Sequence, residues 1–325
     1  MILSLYVDDL IITGNNQEMI ENFKKNMKKE FEMTDLGLMN YFLGLEVKQT
    51  LEDIFISQRK YADAILKRFK MDKCKVMTTP LAVNEKLFKE DEAEKADYST
   101  YRGIVGCLLY LTASRPDLMF SASLLSRFMQ SPSQLHHAAA KRVLRYLRGT
   151  KDLGIWYKPT EKLELVGFSY SDWGGSIDDM RSTSGYAFTL GSGVFSWQSQ
   201  KQDNVAQSTT EAECIAACAA VNQAIWLRKV LKDMGKEQFN PTRLLCDSKS
   251  AIAIAKNPFC HKRTKHFKIK YHFVRDSQRE GEINLEYCPS EEQVADIFTK
   301  ALPKQKFEEL RNKLGMLQLS VKEEC

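Results

Sequence analysis

Hydrophobic positions in the N-terminal part of the chain predict alternating hairpins and helices. Two apolar runs, residues 2–7 and 10–14, flank an acidic pair, a pattern typical of a β-hairpin. Between Asn16 and Met33 the apolar residues recur at steps of three and four, which predicts an amphipathic helix. A second hairpin is predicted at residues 41–47 and 54–57, and a second helix is predicted at residues 58–71.

A short acidic segment precedes a helical region. Residues 85–97 contain six acids and three lysines among few apolar residues, which predicts a solvated linker. One later helix is predicted to begin with a capping box at Ser131 to Gln134, in which Pro132 is the first helical residue. Its neighbouring histidines, His136 and His137, point apart on a helix and are expected on the surface. The helices are predicted at residues 101–113, 118–129 and 132–149.

From about residue 160 the pattern changes to strand-like runs separated by glycine turns. We predict three strands, a helix, a strand, a helix, a strand and a final helical region. Their bounds are 163–169, 185–190, 194–198, 209–234, 244–246, 249–256, 283–287 and from 292 onward. This order predicts a mixed α/β (α+β) fold.

Length and composition narrow the class of protein. The 325 residues suffice for about two domains, and 43% hydrophobic and 27% charged residues exclude a disordered or collagen-like chain. No apolar run approaches the roughly 18 residues of a membrane span, and the first residues lack a basic leader. We therefore expect a soluble intracellular protein that is neither secreted nor bound to a membrane. Eight scattered cysteines without a C-x-x-C pair favour buried reduced thiols.

The net charge of +5 (47 − 42) is concentrated in one segment. Ser248 to Arg275 contain eight Lys or Arg and no acid, so the rest of the chain carries 39 − 42 = −3. Such local charge is typical of a surface that meets phosphate, although a solvated charged helix is the alternative. The three histidines of residues 260–275 have only Cys260 as a further ligand, which disfavours a zinc site.

An acidic pair lies at the tip of the first predicted hairpin, in Tyr6-Val7-Asp8-Asp9. Adjacent carboxylates at a turn supply the hard oxygen ligands that Mg²⁺ prefers. A polar turn that happens to be acidic is the other interpretation. The tetrapeptide by itself leaves both open.

Ordered motifs along the chain carry a family resemblance. Residues 1–150 contain LYVDDLIITG, FEMTDLGLMNYFLGLEV, ISQRKYADAILKRFKM, YRGIVGCLLYLTASRPD, LSRFMQSP and AKRVLRYLRGT. In this order they resemble the reverse transcriptase of copia-type LTR retrotransposon Pol polyproteins. RSTSGY, STTEAE, NPFCHKRTKHFKIKYHFVRD and ADIFTKAL resemble the ribonuclease H that follows it. The resemblance spans roughly residues 1–305.

For the first half, the resemblance implies a right-hand polymerase in which Asp8 and Asp9 are two of three metal-binding carboxylates. The third family aspartate lies on a strand upstream of the hairpin, so we expect it to be missing here, with the fingers and much of the palm. Two-metal phosphoryl transfer needs ligands for both ions, about 4 Å apart. We therefore expect no reverse transcriptase activity from this chain alone.

For the second half, the resemblance implies a site in which four carboxylates hold two Mg²⁺ or Mn²⁺ ions. It places three of them at Glu213, Asp247 and Asp296. Asp247 follows a predicted strand, Asp296 opens the predicted last helix, and Glu213 lies in the first turn of the long helix. Glu211 forms a capping box with Ser208 and is turned about 200° from Glu213 around the helix.

The fourth position departs from the family pattern, which is Tyr/Phe-x-Asp-x-Asp-Trp. Here the ligand position is Tyr170, and a phenol with a pKa near 10 is a poor Mg²⁺ ligand. Asp172 is a possible substitute, but it lies about 6.5 Å further along the strand. Because Mg²⁺ tolerates little error in its bonds of about 2.0–2.1 Å, we expect an impaired nuclease.

Nucleic acid is the implied partner, specifically an RNA–DNA hybrid. Its expected contacts in the basic segment are Lys262, Arg263, Lys265, His266, Lys268 and Lys270.

The expected domains are a palm remnant at residues 1–84, an acidic linker at 85–98, a helical thumb-like or connection-like segment at 99–158, a ribonuclease H-like domain at 159–305 and a tail at 306–325.

Two hypotheses about the function follow. One is a Mg²⁺-dependent enzyme that cleaves the RNA of hybrids, and the other is a non-catalytic or inert remnant that keeps the fold and the basic surface. A metal-dependent cleavage assay separates them.

Overall fold

The computed structural model describes residues 1–50, 52–83, 85–256 and 268–319, along which strands and helices alternate. The N-terminal elements are β1 (Ile2–Tyr6), β2 (Asp9–Thr13), α1 (Gln17–Glu30), β3 (Tyr41–Phe42), β4 (Leu45–Gln49), β5 (Ile54–Ser57) and α2 (Arg59–Arg68). The middle elements are α3 (Tyr98–Leu111), a 3-10 helix (Pro116–Leu118), α4 (Met119–Ser126), α5 (Gln134–Gly149) and β6 (Leu153–Tyr157).

The C-terminal elements are β7 (Leu165–Asp172), β8 (Thr183–Leu190), β9 (Val194–Lys201), α6 (Thr209–Asp233), β10 (Thr242–Cys246), α7 (Lys249–Lys256), α8 (Lys268–Arg279), β11 (Ile283–Tyr287), a second 3-10 helix (Val294–Phe298), α9 (Lys304–Lys313) and β12 (Met316–Gln318). The predicted mixed α/β class is confirmed.

The first hairpin forms a two-stranded sheet of its own. β1 and β2 pair antiparallel from Ile2 opposite Thr13 to Tyr6 opposite Asp9, with Val7 and Asp8 in the turn. The predicted hairpin is therefore present. Its apolar residues are largely exposed, since two-stranded pairing buries neither face.

A five-stranded mixed sheet, ordered β11-β10-β7-β8-β9, contains the residues that position the candidate site. β7, β8 and β9 are antiparallel neighbours, whereas β10 runs parallel to both β7 and β11. α6 packs on one face of this sheet over a core that includes Phe188, Val221 and Leu244. Because β7 and β10 are parallel, their carboxyl ends lie at the same edge of the sheet.

A second, antiparallel sheet joins distant parts of the chain in the order β12-β6-β5-β4-β3. Two expectations need correction here. β6 lies in the segment expected to be helical, and α9 and β12 occupy the expected tail. Gly154 permits the pairing of β6 with β5, because a Cβ there would overlap the Ile56 carbonyl oxygen and the Phe55 ring. β12 then pairs antiparallel with β6, and Met316 is buried.

The acidic segment also differs from expectation, because it is not uniformly solvated. The side chain of Asp91 is only 4% exposed and accepts a hydrogen bond from the Ser133 hydroxyl. Lys95 forms a β-bridge with Ser133, so the segment is attached to the start of α5.

α5 begins two residues later than its sequence suggests. The N-cap is Ser133, not Ser131, because the Ser133 hydroxyl accepts from the His136 backbone and the Ser133 backbone donates to His136 Nδ1. His136 is fully buried and stacks on Phe128 with ring centroids 3.9 Å apart. Its expected surface position is therefore wrong, while His137 is half-buried.

α6 is long and apolar enough, by length and composition alone, to cross a membrane, with a mean hydropathy of 1.3 in an 18-residue window. Glu213, Asn222 and Gln223 interrupt its apolar residues, so it contains no uninterrupted apolar run of about 18 residues. The helix is also a core element, since Ala217, Val221 and Ala224 are buried. Among the residues that the structure describes, no other helix passes the test.

Candidate metal centre

The shared edge of β7 and β10 brings together two of the expected carboxylates. Glu213, Cys246 and Asp247 each offer a ligand atom, and these atoms lie within 4.8 Å of one another. Glu213 projects from the buried face of α6 and accepts a hydrogen bond from the Ser171 backbone at 2.9 Å. Asp247 directly follows β10, where Ser290 donates to its carboxylate at 3.0 Å. The predicted juxtaposition of Glu213 and Asp247 is therefore present.

Glu211 has the separate task that its spacing from Ser208 predicts. Its backbone N–H donates to the Ser208 hydroxyl at 3.2 Å, and its carboxylate accepts from the Gln207 backbone at 2.8 Å. This carboxylate therefore closes the start of α6. Only Glu213 of the two glutamates faces the centre.

The Glu213 and Asp247 side of the centre brings two carboxyl groups together in a largely buried place. Burial raises the pKa of Glu213 to about 8, with Asp247 and Asp296 adding to the rise against the lowering by the Ser171 hydrogen bond. Burial also raises the pKa of Asp247, opposed by the hydrogen bond from Ser290. Among the described residues neither carboxylate has an ion pair with a Lys or Arg within 4.0 Å, so this side offers ligands for a cation.

Asp296 lies on the second 3-10 helix and does not open the last α-helix, as its motif suggested. α9 begins only at Lys304, after Pro303. The Asp296 side chain is 3% exposed, and each of its oxygens meets an ammonium group. Lys300 Nζ lies 2.7 Å from Oδ1, and Lys306 Nζ lies 2.6 Å from Oδ2. This carboxylate is therefore neutralised by the protein itself.

Tyr170 stands on β7 at the position of the missing fourth carboxylate. Its hydroxyl accepts a hydrogen bond from Lys300 Nζ at 2.9 Å, and the same ammonium lies 4.7 Å from the ring centroid. Burial raises the pKa of Tyr170, which the Lys300 hydrogen bond only partly opposes. The phenol therefore stays neutral at physiological pH.

Asp172 lies two residues beyond Tyr170 on the same face of β7. Its carboxylate is directed at the turn after the strand, where a Cβ on Gly175 would overlap Oδ2. Burial raises its pKa. In the part of the chain that is described, the group of three candidate ligands does not include Asp172. This placement gives no support to Asp172 as a substitute ligand.

The other predicted acids, Asp8 and Asp9, lie on the separate hairpin, where both are exposed. Over the described ranges, they belong to no group of three or more potential metal ligands. They are therefore not brought together with the other candidate carboxylates.

Most of the predicted nucleic-acid contacts, Lys262, Arg263, Lys265 and His266, lie outside the described residues. Lys268 is the first residue of α8, and Lys270 on the same helix is exposed. Tyr271 and Val274 are buried, and α8 packs on α6. The helix therefore places Lys270 at the surface of the C-terminal half.

A cationic cavity of about 420 Å³ escaped sequence reasoning, because its lining comes from separate helices. Arg68 and Lys70 come from the end of α2, Lys141 comes from α5, and Ser99 and Thr100 come from the first turn of α3. Its three cations are exposed, and none has an ion pair within the part of the chain described.

Sequence reasoning also missed Lys300 and Lys306. Their acidic partner, Asp296, was recognised, and the i, i+4 spacing of Asp296 and Lys300 could have indicated an ion pair between them. The contact with Tyr170 had no local signal, because 130 residues separate it from Lys300.

The residues present fit one divalent ion better than two. Glu213 and Asp247 supply carboxylates that have no direct ion pair in the described ranges, which suits a hard divalent ion. On the other side, Asp296 is already paired with two ammonium groups, and Tyr170 replaces a carboxylate. The full two-ion set that the family resemblance implies is therefore not fitted by these side chains.

Comparison with known proteins supports the family resemblance. The family model "Reverse transcriptase (RNA-dependent DNA polymerase)" matches residues 1–83. The retrovirus-related Pol polyprotein from transposon RE1 of Arabidopsis thaliana is 37% identical over 315 residues, covering 97% of this chain and 22% of the polyprotein. The chain thus spans about a fifth of that relative's length.

A shorter relative is matched over most of its own length. The putative transposon Ty5-1 protein of Saccharomyces cerevisiae is 33% identical over 222 residues, covering 67% of this chain and 72% of the relative. Among solved structures, the N-terminal RNase H domain of Rv2228c from Mycobacterium tuberculosis aligns with 46% of this chain and 97% of its own, at 15% identity and a TM-score of 0.33. With transposon proteins similar over nearly its whole length and a reverse transcriptase match at its start, this chain belongs to the copia-type retrotransposon Pol polyprotein family.

Proposed function

We propose that this chain carries reverse transcriptase-like and ribonuclease H-like parts, binds RNA–DNA hybrids, and cleaves their RNA strand poorly or not at all. The observation that carries the proposal is the Tyr170–Lys300 pair. A neutral phenol and an ammonium stand where the family pattern has a metal-binding carboxylate.

The chemistry of RNA cleavage explains why this pair matters. In two-metal sites, the ions activate the attacking water and stabilise the leaving oxygen. Glu213 and Asp247 would hold one such ion, Mg²⁺ or Mn²⁺. Asp296 is held in its ion pairs, and Tyr170 adds no negative charge. The chain therefore positions one half of a cleavage centre without the other.

Binding of nucleic acid needs cations more than it needs the metal centre. Exposed Lys270 and the neighbouring Lys262, Arg263, Lys265, His266 and Lys268 are our proposed hybrid contacts. The cavity lined by Arg68, Lys70 and Lys141 adds a second cationic surface. Because backbone phosphates release counterions when they bind such groups, we expect hybrid affinity to fall steeply with salt.

We also propose that this chain does not synthesise DNA. Asp8 and Asp9 lie on an exposed hairpin, and no third acid among the described residues joins them in a potential metal site. Two carboxylates without a third ligand would not hold two metal ions at the spacing that nucleotidyl transfer requires.

An active nuclease is the competing proposal, favoured by the convergence of Glu213 and Asp247. The test measures cleavage of a labelled RNA–DNA hybrid in Mg²⁺ and in Mn²⁺ by the wild type, Tyr170→Asp and Tyr170→Asn. Asn matches Asp in size but lacks its charge. We expect EDTA-sensitive cleavage in Tyr170→Asp, at least about a hundredfold above the other two proteins, because a lost metal contact costs several kcal/mol of transition-state stabilisation.

The outcomes separate the two proposals. Comparable EDTA-sensitive cleavage by the wild type and Tyr170→Asp would refute our proposal and direct attention to Asp172. Absence of cleavage in all three would refute the claim that one lost carboxylate disables an otherwise preserved site. Hybrid binding, measured in EDTA at two salt concentrations, tests the binding part independently.

A further inference from the structure

The two sides of the metal centre differ in how their negative charge is balanced. Lys300 and Lys306 each place an ammonium on one oxygen of Asp296, at 2.7 and 2.6 Å. Glu213 and Asp247 have no such partner within the described ranges. One side is thus directly ion-paired within the chain, whereas the other has Lys300 only as a more distant positive charge.

Lys300 bridges two elements that are far apart in sequence. Its ammonium donates to the Tyr170 hydroxyl on β7 and pairs with Asp296 on the second 3-10 helix. It also lies over the Tyr170 ring, a favourable place for a cation. The side chain therefore occupies the space between the two positions that would flank one of the family's two ions.

The remaining contacts hold the 3-10 helix that carries Asp296 against the sheet. A Cβ on Gly185 of β8 would lie 2.6 Å from Phe298 Cβ and 3.0 Å from the Ala295 carbonyl oxygen. Gly185 is also the register partner of Tyr170. This close approach fixes the distance between Tyr170 and Asp296 that the Lys300 ammonium spans.

We propose that the Lys300 ammonium is a built-in cation that takes the place of one of the two divalent ions, so that the chain binds a single divalent ion, at Glu213 and Asp247. This inference rests on the proposed function in one respect, because that function implies that the chain binds a divalent ion. With Tyr170 neutral, Asp296 is the carboxylate that pairs directly with Lys300 in the described part of the chain, and Lys306 already shares it. A divalent ion would have to displace an ammonium from there without gaining a second carboxylate.

The test counts Mn²⁺ ions bound to the full chain by equilibrium dialysis, with electron paramagnetic resonance of free Mn²⁺ as a second readout. We expect one ion in the wild type. Asp247→Asn should weaken its binding by at least about tenfold, the lower end of what loss of even an outer-shell partner costs a metal site. Asp296→Asn should leave the affinity within about threefold, because Asp296 is engaged by lysines.

Tyr170→Asp provides the converse test. Its new carboxylate would face Asp296 across Lys300, so a divalent ion gains two carboxylates there and displaces the ammonium. We expect two ions in this variant and one in the matched variant Tyr170→Asn.

Several results would overturn the proposal. They are two ions or none in the wild type, equal losses in Asp247→Asn and Asp296→Asn, or a count that stays at one in Tyr170→Asp. The wild-type count needs no substitution, so the proposal stays testable if Asp296→Asn does not fold. Hybrid binding in EDTA is measured on the same preparation, and its loss would refute the proposed function without altering the ion count.

Discussion

A buried ion pair in the helical region offers a direct test of how this fold is stabilised. Arg115 donates from Nε and Nη2 to the two oxygens of Asp117, at 2.9 and 2.7 Å, and the two side chains are 2% and 0% exposed. Tyr146 donates to the same carboxylate at 2.6 Å, and Arg311 of α9 donates to the Tyr146 hydroxyl at 3.1 Å. The pair therefore connects α5 to the C-terminal helix.

Asp117→Asn leaves the Arg115 guanidinium buried without a countercharge. Burial alone raises the pKa of Asp117, but Arg115, Tyr146 and Arg311 together hold that pKa below its usual value, so the carboxylate is ionised at neutral pH. Removing one partner of such a buried pair costs about 3–5 kcal/mol of unfolding free energy. The solvent-accessible pair of Arg243 and Glu286 also uses two guanidinium nitrogens, both on Oε2 of Glu286, and Glu286→Gln should cost no more than about 1 kcal/mol.

Urea denaturation at neutral pH, followed by far-UV circular dichroism, measures both losses. A double variant, Arg115→Met with Asp117→Leu, should recover most of the loss, because it removes the uncompensated charge along with its partner. Equal small losses in Asp117→Asn and Glu286→Gln would refute the reasoning. So would a double variant that is less stable than Asp117→Asn.

Two further predictions concern stability. Burial lowers the pKa of His136 below its ordinary 6.5, although the negative charge of Asp91 partly opposes this shift. As the pH falls, the imidazole is therefore protonated at a higher pH in the unfolded chain than in the folded one. The free energy of unfolding should consequently decrease below about pH 6.5. His136→Gln should flatten that part of a curve of urea midpoint against pH, and an unchanged slope would contradict the assignment. Gly185→Ala should cost about 1–3 kcal/mol through its contacts with Phe298 and Ala295, measured by thermal unfolding. Gly106→Ala is the control, because Gly106 lies in the middle of α3 and a Cβ there would have no atom within 4 Å. This substitution should stabilise the protein by about 0.5–1 kcal/mol. A loss of stability in Gly106→Ala as large as in Gly185→Ala would contradict the steric explanation.

Local patterns along the chain predicted much of the secondary structure. The expected helix 209–234 is Thr209–Asp233, and the expected strand 283–287 is Ile283–Tyr287. These elements were accessible because residues three and four apart share a helix face and alternate residues share a strand face. The same local reasoning assigned Glu211 to the helix start and left Glu213 for the centre.

Pairings between distant segments were not accessible in this way. β6 and β12 are short, and each depends on partners far along the chain. His136 is buried because the acidic segment and Phe128 cover it, and no periodicity within α5 reveals a cover that comes from elsewhere.

The amino-acid sequence by itself determined the chemistry available to this protein. It placed a phenol at residue 170, carboxylates at 213, 247 and 296, and a basic run between Ser248 and Arg275. Only the tertiary structure decided how those groups are paired: it placed Lys300 between Tyr170 and Asp296, and it left Glu213 and Asp247 without a direct ion pair to a lysine or arginine among the described residues. The physical reason is that residue identity fixes the charge a side chain can carry, whereas the contact of Lys300 with Tyr170 depends on packing between segments 130 residues apart.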